Sequence, residues 1–285
     1  MPLVTKVAAL ACAALIAAGC GSSGSDASGR TVVAAFYPLA WAAEQVAGPG
    51  VEVVNLTPPG AEPHDIELTP RDVQRVQGAN LVLYLGDGFM PALEDAVSGR
   101  KEAIDLLRGQ KLRSGVEGHA RDPHLWLDPT RYGKVVRTIA GALGRPAAAD
   151  RLVTRLHELD REFRAGLAHC ERREIVTSHA AFGYLADAYG LRQVALTGIT
   201  PEAEPSPRAL EALVREVERS GATTVFVETL VSPRLSQTVA REAGARTAEL
   251  NPIEGLTTSE LGNGEDYFSL MRENLAALRE ALGCR

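Results

Sequence analysis

Along most of this chain, short and nearly unbroken apolar runs rich in β-branched residues alternate with stretches whose apolar positions recur every three or four residues. These are the marks of strands covered on both faces and of amphipathic helices. The pattern predicts strands over Thr31–Phe36, Val51–Thr57 and Asn80–Leu85, with Pro58-Pro59-Gly60 stopping the second. It predicts helices over Leu39–Val46 and from Thr69-Pro70 through Gln77, the proline standing in the first turn, where its missing N–H costs nothing. The same grammar returns after residue 170. Strands are expected over Glu174–Ser178, Val194–Thr197, Thr223–Glu228 and Arg246–Leu250. Helices are expected over Ala180–Tyr189, Pro207–Ser220, Leu235–Ala243 and from Asp266 to Leu282. Alternation of this kind builds mostly parallel sheets flanked by helices, so the fold class is α/β with two lobes.

Between the halves, Ala147–Cys170 carries no strand signal. Leu152, Leu156, Leu159, Phe163 and Leu167 form one apolar stripe on a helix that Arg145-Pro146 introduces. About 22 helical residues extend about 33 Å, enough to run along both lobes and to permit only modest closure on a ligand. The halves also echo one another in residues. Ala61-Glu62-Pro63 precedes a helix ending at Gly78-Ala79 and the run Leu81–Tyr84; Ala203-Glu204-Pro205 precedes one ending at Gly221-Ala222 and the run Thr224–Val227. Either one architectural unit is used twice, which the parallel favours, or a short motif recurs by chance.

The N-terminus adds a compartment. Met1–Lys6 carries one cation, and Val7–Gly19 is an alanine-rich apolar run. It is shorter than the ~20 residues of a spanning helix and reads as a signal peptide. Leu15-Ile16-Ala17-Ala18-Gly19-Cys20 resembles the bacterial lipobox, whose cysteine is acylated and becomes the first mature residue. The expected plan is therefore a lipoprotein signal peptide over 1–19 and a flexible Gly/Ser tether over 20–30. An N-terminal α/β lobe over 31–145, a linker helix over 146–170 and a C-terminal α/β lobe over 171–285 follow. The mature body would sit outside the cytoplasm, held at the cell membrane by lipid on Cys20. Cys170 and Cys284 are then the remaining cysteines, and in an oxidising compartment they either pair in one disulfide or stay as two buried thiols. The formal charge is −6. An acidic body without a basic cluster argues against nucleic acid as a partner.

Three of the six histidines stand where a predicted strand has ended and a helix has not begun. His64 lies in Ala61-Glu-Pro-His-Asp65, His124 in Asp122-Pro-His-Leu-Trp-Leu-Asp-Pro129 and His179 in Thr177-Ser-His-Ala180. Ligands of open α/β sheets bind off the carboxyl ends of strands, which suits His64 and His179; the strand before His124 is unclear. Polar neighbours could orient each ring: Glu62 and Asp65, Asp122 and Asp128, Thr177 and Ser178. Three imidazoles with one further oxygen suit Zn2+, whereas carboxylate-rich sets suit Mn2+ better. The bland alternative is three surface or capping histidines. His119, His157 and His169 lack such settings and are read as solvent-facing.

On these segments the chain resembles the metal-binding solute-binding proteins of bacterial ABC transporters, the cluster A-I family, and its zinc branch in particular. The resemblance extends through Gly198-Ile-Thr-Pro-Glu-Ala-Glu-Pro-Ser206, Asn251-Pro-Ile-Glu-Gly-Leu256 and Tyr267–Asn274, covering essentially the whole mature chain. It implies two α/β lobes joined by a long helix, metal in the cleft between them, and His64, His124 and His179 as the imidazole ligands. A histidine at the third position is similar to the zinc type; a glutamate there is typical of manganese relatives. Two departures stand out. Many relatives carry an aspartate as fourth ligand where this chain has Asn251, a poor zinc ligand. Water is the favoured occupant of that position, with Glu254 or another carboxylate as alternatives. Zinc relatives also often carry a long histidine-rich loop, whereas Ser114–Arg121 offers only His119.

The expectation is a monomeric, lipid-anchored solute-binding protein that captures Zn2+ and delivers it to an ABC permease for import, with no catalysis. Mn2+ is the less favoured metal. The rival is a zinc-dependent hydrolase using three histidines and an open water position, disfavoured by the lack of a general-base motif such as H-E-x-x-H. An adhesin role has no residue to support it.

Overall fold

The computed structural model describes residues 29–115, 121–201 and 206–285. The expected leader, Cys20, the tether up to residue 28, His119 and the Ala203-Glu204-Pro205 motif lie outside the described residues. The first half runs β1 (Arg30–Ala34), α1 (Tyr37–Val46), β2 (Val51–Asn55), α2 (Pro70–Gly78), β3 (Leu81–Tyr84), α3 (Pro91–Ala96), β4 (Ala103–Asp105) and α4 (Pro129–Ala142). The long helix α5 (Pro146–Gly166) follows. The second half runs β5 (Glu174–Thr177), α6 (Gly183–Tyr189), β6 (Arg192–Ala195), α7 (Pro207–Ser220), β7 (Thr224–Val227), α8 (Arg234–Glu242), β8 (Arg246–Glu249), α9 (Thr258–Asn263) and α10 (Tyr267–Leu282).

Each half builds a four-stranded, wholly parallel sheet, ordered β2-β1-β3-β4 and β6-β5-β7-β8. The order is the same in both, and the two runs that echo one another in sequence, Leu81–Tyr84 and Thr224–Val227, are equivalent strands. In each sheet the chain steps outward on one side and then crosses to the other, opening a crevice beyond the carboxyl ends of the strands.

Local chemistry sets the helix ends. Thr69 and Asp72 form a capping box at the start of α2, and Asp266 and Ser269 do so for α10. Asp128 accepts from the N–H groups of Thr130 and Arg131 and Pro129 opens α4, satisfying donors that the first turn would leave bare. The stripe of α5 is buried as predicted, from Leu152 to Leu167. The sequence reading passed over α3, β4, α4 and α9. Three of these are six residues or fewer, too short for periodicity to register. α4 is longer, and its start at Asp128-Pro129 falls inside the segment that carries His124.

The hydrophobic core does not stop at the boundary between halves. One continuous cluster joins β1, β3, α1, α4 and α5 to Ile175, Phe226, Leu250 and the inner face of α10. At its centre the Trp41 ring lies 5.2 Å from Tyr267 and 5.4 Å from Phe268, and Tyr132 lies 4.7 Å from Tyr267. A second, smaller cluster (Val176, Leu196, Val217, Val225, Val239 and Ala240) seats α7 and α8 on the second sheet.

Cys170, just past α5, is disulfide-bonded to Cys284, just past α10. The bond closes the entire second half into a loop, with a sequence separation of 114. Cross-linking a loop of that length removes unfolded-state entropy worth roughly 4–5 kcal/mol in the chain-entropy model. Replacing Cys284 by Ser, or reducing the bond, should lower stability by about 2–5 kcal/mol, read by denaturant unfolding with and without reductant.

Candidate metal centre

Four side chains, carried by the segments that follow β2, β4, β5 and β8, converge. His64 sits in a single 3-10 turn, Pro63–Asp65, between β2 and α2. His124 follows β4 and leads into the turn Leu125–Leu127. His179 stands two residues past the end of β5, on extended backbone with φ −133° and ψ 176°. Glu254 lies in the segment after β8. One ligand atom from each lies within 4.8 Å of all the others. Oε1 of Glu254 is 3.4 Å from Nε2 of His64, 3.0 Å from Nε2 of His124 and 3.5 Å from Nε2 of His179.

The rings are aimed by carboxylates behind them. Nδ1 of His124 lies 2.8 Å from Oδ1 of Asp122, and Nδ1 of His179 lies 2.8 Å from Oε2 of Glu228. In the neutral rings the proton therefore sits on Nδ1, and Nε2 turns its lone pair toward Glu254. Glu62 acts differently, accepting the backbone N–H of His64 at 3.1 Å. Phe89 packs edge-on against His64 at 4.5 Å, and Trp126 lies 5.2 Å from His124. Gly183 lets the halves close here, because a Cβ would come within 2.6 Å of Nε of Arg113 and 2.9 Å of Oδ2 of Asp122.

Only the His64 contact with Glu254 is aligned as a hydrogen bond. Nε2 of His124, Nε2 of His179 and Oε2 of Glu254 are buried with no hydrogen-bond partner. Polar atoms left so are costly, at about 1–3 kcal/mol each, unless something else binds them. Their convergence on one point fits a cation.

In the metal-free cluster the four groups divide the charge among themselves. Burial pulls His64 below the ordinary histidine range, outweighing the pull of Glu254. Burial acts downward on His124 and His179 too, but their carboxylate partners and Glu254 prevail and raise both. Burial would raise Glu254, yet the neighbouring imidazoles hold it well below the usual carboxylate range. Glu62 is pushed up to about 9, by burial first and then by the charge of Glu254.

The turn carrying Glu254 has unusual geometry. Ile253, a buried β-branched residue, holds φ at 57°, in the left-handed region. Asn251 and Pro252 before it are bonded to Asn274 and Trp126.

The profile of a protein family, described as zinc-uptake complex component A, periplasmic (ZnuA), matches residues 32–281. The chain belongs to the ZnuA family. Among ZnuA-like relatives, the zinc-binding protein AdcA of Streptococcus pyogenes serotype M1 is 34% identical over 283 residues, covering 87% of this chain and 55% of AdcA. The chain thus spans about half the length of the AdcA relatives it matches. The high-affinity zinc uptake system protein ZnuA of Bacillus subtilis is 31% identical over 300 residues, covering 94% of each. The fold superposes on the laminin-binding protein Lmb of Streptococcus agalactiae with a TM-score of 0.80 at 27% identity, covering 89% of this chain and 100% of Lmb. The Zn(II)-bound ZnuA-like domain of Streptococcus pneumoniae AdcA gives 0.75 at 32% identity, covering 88% and 98%.

In this ZnuA-family chain the Glu254 carboxylate, expected as an alternative to water beside the three histidines, has an oxygen within 4.8 Å of a ring nitrogen of each. The partner of the His179 ring is Glu228 rather than Thr177 or Ser178; an acidic residue closing the apolar run Thr224–Val227 was the signal available. Asp128 caps α4 and does not orient His124. His157 and His169 are exposed, as read.

Imidazole titration by NMR of the metal-free protein should find His64 neutral at pH values where free histidine is half-protonated. His124 and His179 should still be protonated above that range. Their raised values stabilise the fold at low pH, and that contribution is lost as pH rises through them; Glu254 contributes in the opposite sense, its share present above the ordinary carboxylate range and lost as pH falls from there toward its depressed value. Glu254→Gln should bring both raised histidines down.

Proposed function

We propose that this protein captures Zn2+ outside the cytoplasm and hands it to an ABC permease for import, with His64, His124, His179 and Glu254 as the ligands. The observation that carries the reading is the closed set of three imidazoles and one carboxylate. In a tetrahedron with bonds of about 2.0–2.1 Å, ligand atoms stand about 3.3 Å apart. The three distances from Glu254, 3.0 to 3.5 Å, already have that length. Neutral nitrogen donors favour Zn2+ over Mn2+, which prefers oxygen-rich sets. The names of the AdcA and ZnuA relatives agree with zinc as cargo, and the family with delivery to a permease.

In this reading two lobes, 31–145 and 171–285, are joined by the helix of 146–170 and work as a monomer tethered through lipid on Cys20. The same four-donor set speaks against the hydrolase alternative, because a catalytic zinc keeps one position open for water. Zinc-dependent turnover of an ester or phosphoester would reverse that choice.

Substituting Ala for His64, His124, His179 or Glu254 one at a time should each weaken Zn2+ binding by more than the ~10–100-fold typical of losing an outer partner of a metal ligand. Competition against a chromophoric chelator reads this, and unchanged affinity in all four would refute the assignment.

Zinc must also displace the protons that the raised His124 and His179 hold. Affinity should therefore begin to fall as pH drops while still above the ordinary histidine value of about 6.5. Calorimetry in buffers of different ionisation enthalpy should record proton release on binding.

A further inference from the structure

We propose that Asn251 is a positioning residue for Glu254, acting through the left-handed turn at Ile253 and not as a vacant ligand position. The inference rests on the reading of Glu254 as a zinc ligand and assigns what holds it there.

Every polar group of Asn251 is engaged. Its side-chain Oδ1 accepts the N–H of Ile253 at 2.7 Å, and its Nδ2 donates to Oε1 of Glu260 at 2.9 Å. Its backbone N–H donates to Oδ1 of Asn274 at 2.8 Å, and its carbonyl accepts from Nδ2 of Asn274 at 2.7 Å. Glu260 is fixed in turn by the capping box of α9, where Oε2 accepts the N–H of Thr257 at 2.6 Å. From the other half, Nε1 of Trp126 donates to the carbonyl of Pro252 at 2.8 Å.

The chemistry explains why an amide stands at this position. A side-chain oxygen that accepts from the N–H two residues on stabilises a turn that a β-branched residue would otherwise avoid. The other end of the side chain must be a donor, because it faces the Glu260 carboxylate. Asparagine supplies both; an aspartate would set two carboxylates against each other. Fixing Ile253 fixes the direction in which the next residue leaves the turn. That residue is Glu254, fully buried among the three imidazoles. In this arrangement residue 254 binds and residue 251 aims.

A double-mutant cycle on the full chain separates this role from a general structural one. Zn2+ affinity would be measured by chelator competition for the parent, Asn251→Ala, Glu254→Ala and the double variant. The visible spectrum with Co2+ in place of zinc reports the coordination number. Asn251→Ala should weaken binding by ~10–100-fold and convert an intense four-coordinate Co2+ spectrum to the weak bands of a water-expanded site. In the Glu254→Ala background it should change affinity by less than about twofold. Asn251→Ser, whose hydroxyl can still accept from the Ile253 N–H, should keep most of the affinity and the parent spectrum. A loss from Asn251→Ala that persists undiminished without Glu254 would overturn the proposal, as would parent-like affinity in Asn251→Ala or an Asn251→Ser variant no better than Ala. Should Glu254→Ala itself bind like the parent, the ligand reading falls and this inference with it.

Discussion

Three imidazole nitrogens and one carboxylate oxygen, all but removed from water, point at one spot, and of their mutual contacts only that of His64 with Glu254 is aligned as a hydrogen bond. That is the constraint around which the rest of this structure is arranged. Left alone, such groups would turn aside to find hydrogen bonds or admit water, since a buried polar atom without a partner destabilises the fold. Asp122 and Glu228 prevent this from behind, holding Nδ1 of His124 and His179 so that Nε2 has nowhere else to turn. The His64 side chain is the only one of the four with any exposure, at 3%. The least protected of the four is also the imidazole that burial holds below the ordinary histidine range.

Side chains drawn from both halves keep this arrangement only if the halves keep their relation. The shared core supplies that. Trp41 of α1, Tyr132 of α4 and Tyr267 and Phe268 of α10 form one aromatic contact region, and α5 runs alongside. Wide opening would expose several of these rings, each worth on the order of 1.5–3 kcal/mol when buried, so the shared core opposes it. Trp126 links this frame to the site. Its carbonyl accepts from the Tyr267 hydroxyl at 2.7 Å, its indole donates to Pro252, and it stands two residues beyond His124. A displacement of α10 would therefore be felt on both the His124 side and the Glu254 side of the cluster.

Much of this was legible in the residues because the signals were local. Strand and helix alternation located most of the framework, and the heptad-like spacing from Leu152 to Leu167 revealed α5. The three histidines stood out because each closes a strand-to-helix passage. What escaped was decided by tertiary contacts. β4 is three residues long and becomes a strand only by pairing with β3. Glu228 reads as the polar end of a strand until β5 and β7 lie side by side and bring it to His179. Asn251 invited comparison with a missing aspartate, because nothing in the sequence shows that its amide is committed to Ile253 and Glu260. The turn that carries Glu254 contains a left-handed isoleucine, which no propensity rule would expect.

The two sheets share one strand order, yet their contributions to the site are only partly equivalent. β4 and β8 are corresponding edge strands, and the segments after them supply His124 and Glu254. The other two side chains break the correspondence: His64 comes from beyond β2, an edge strand, while His179 extends from β5, a central one. A repeated fold can bring two equivalent loops to a common crevice, but a single ion cannot be met in the same way by both. The second half sends one of its side chains, His179, directly from the sheet and the other, Glu254, from a clamped turn. The repeat explains why the cluster lies between the halves. The departures from it explain why one carboxylate and three imidazoles approach a common point from different directions.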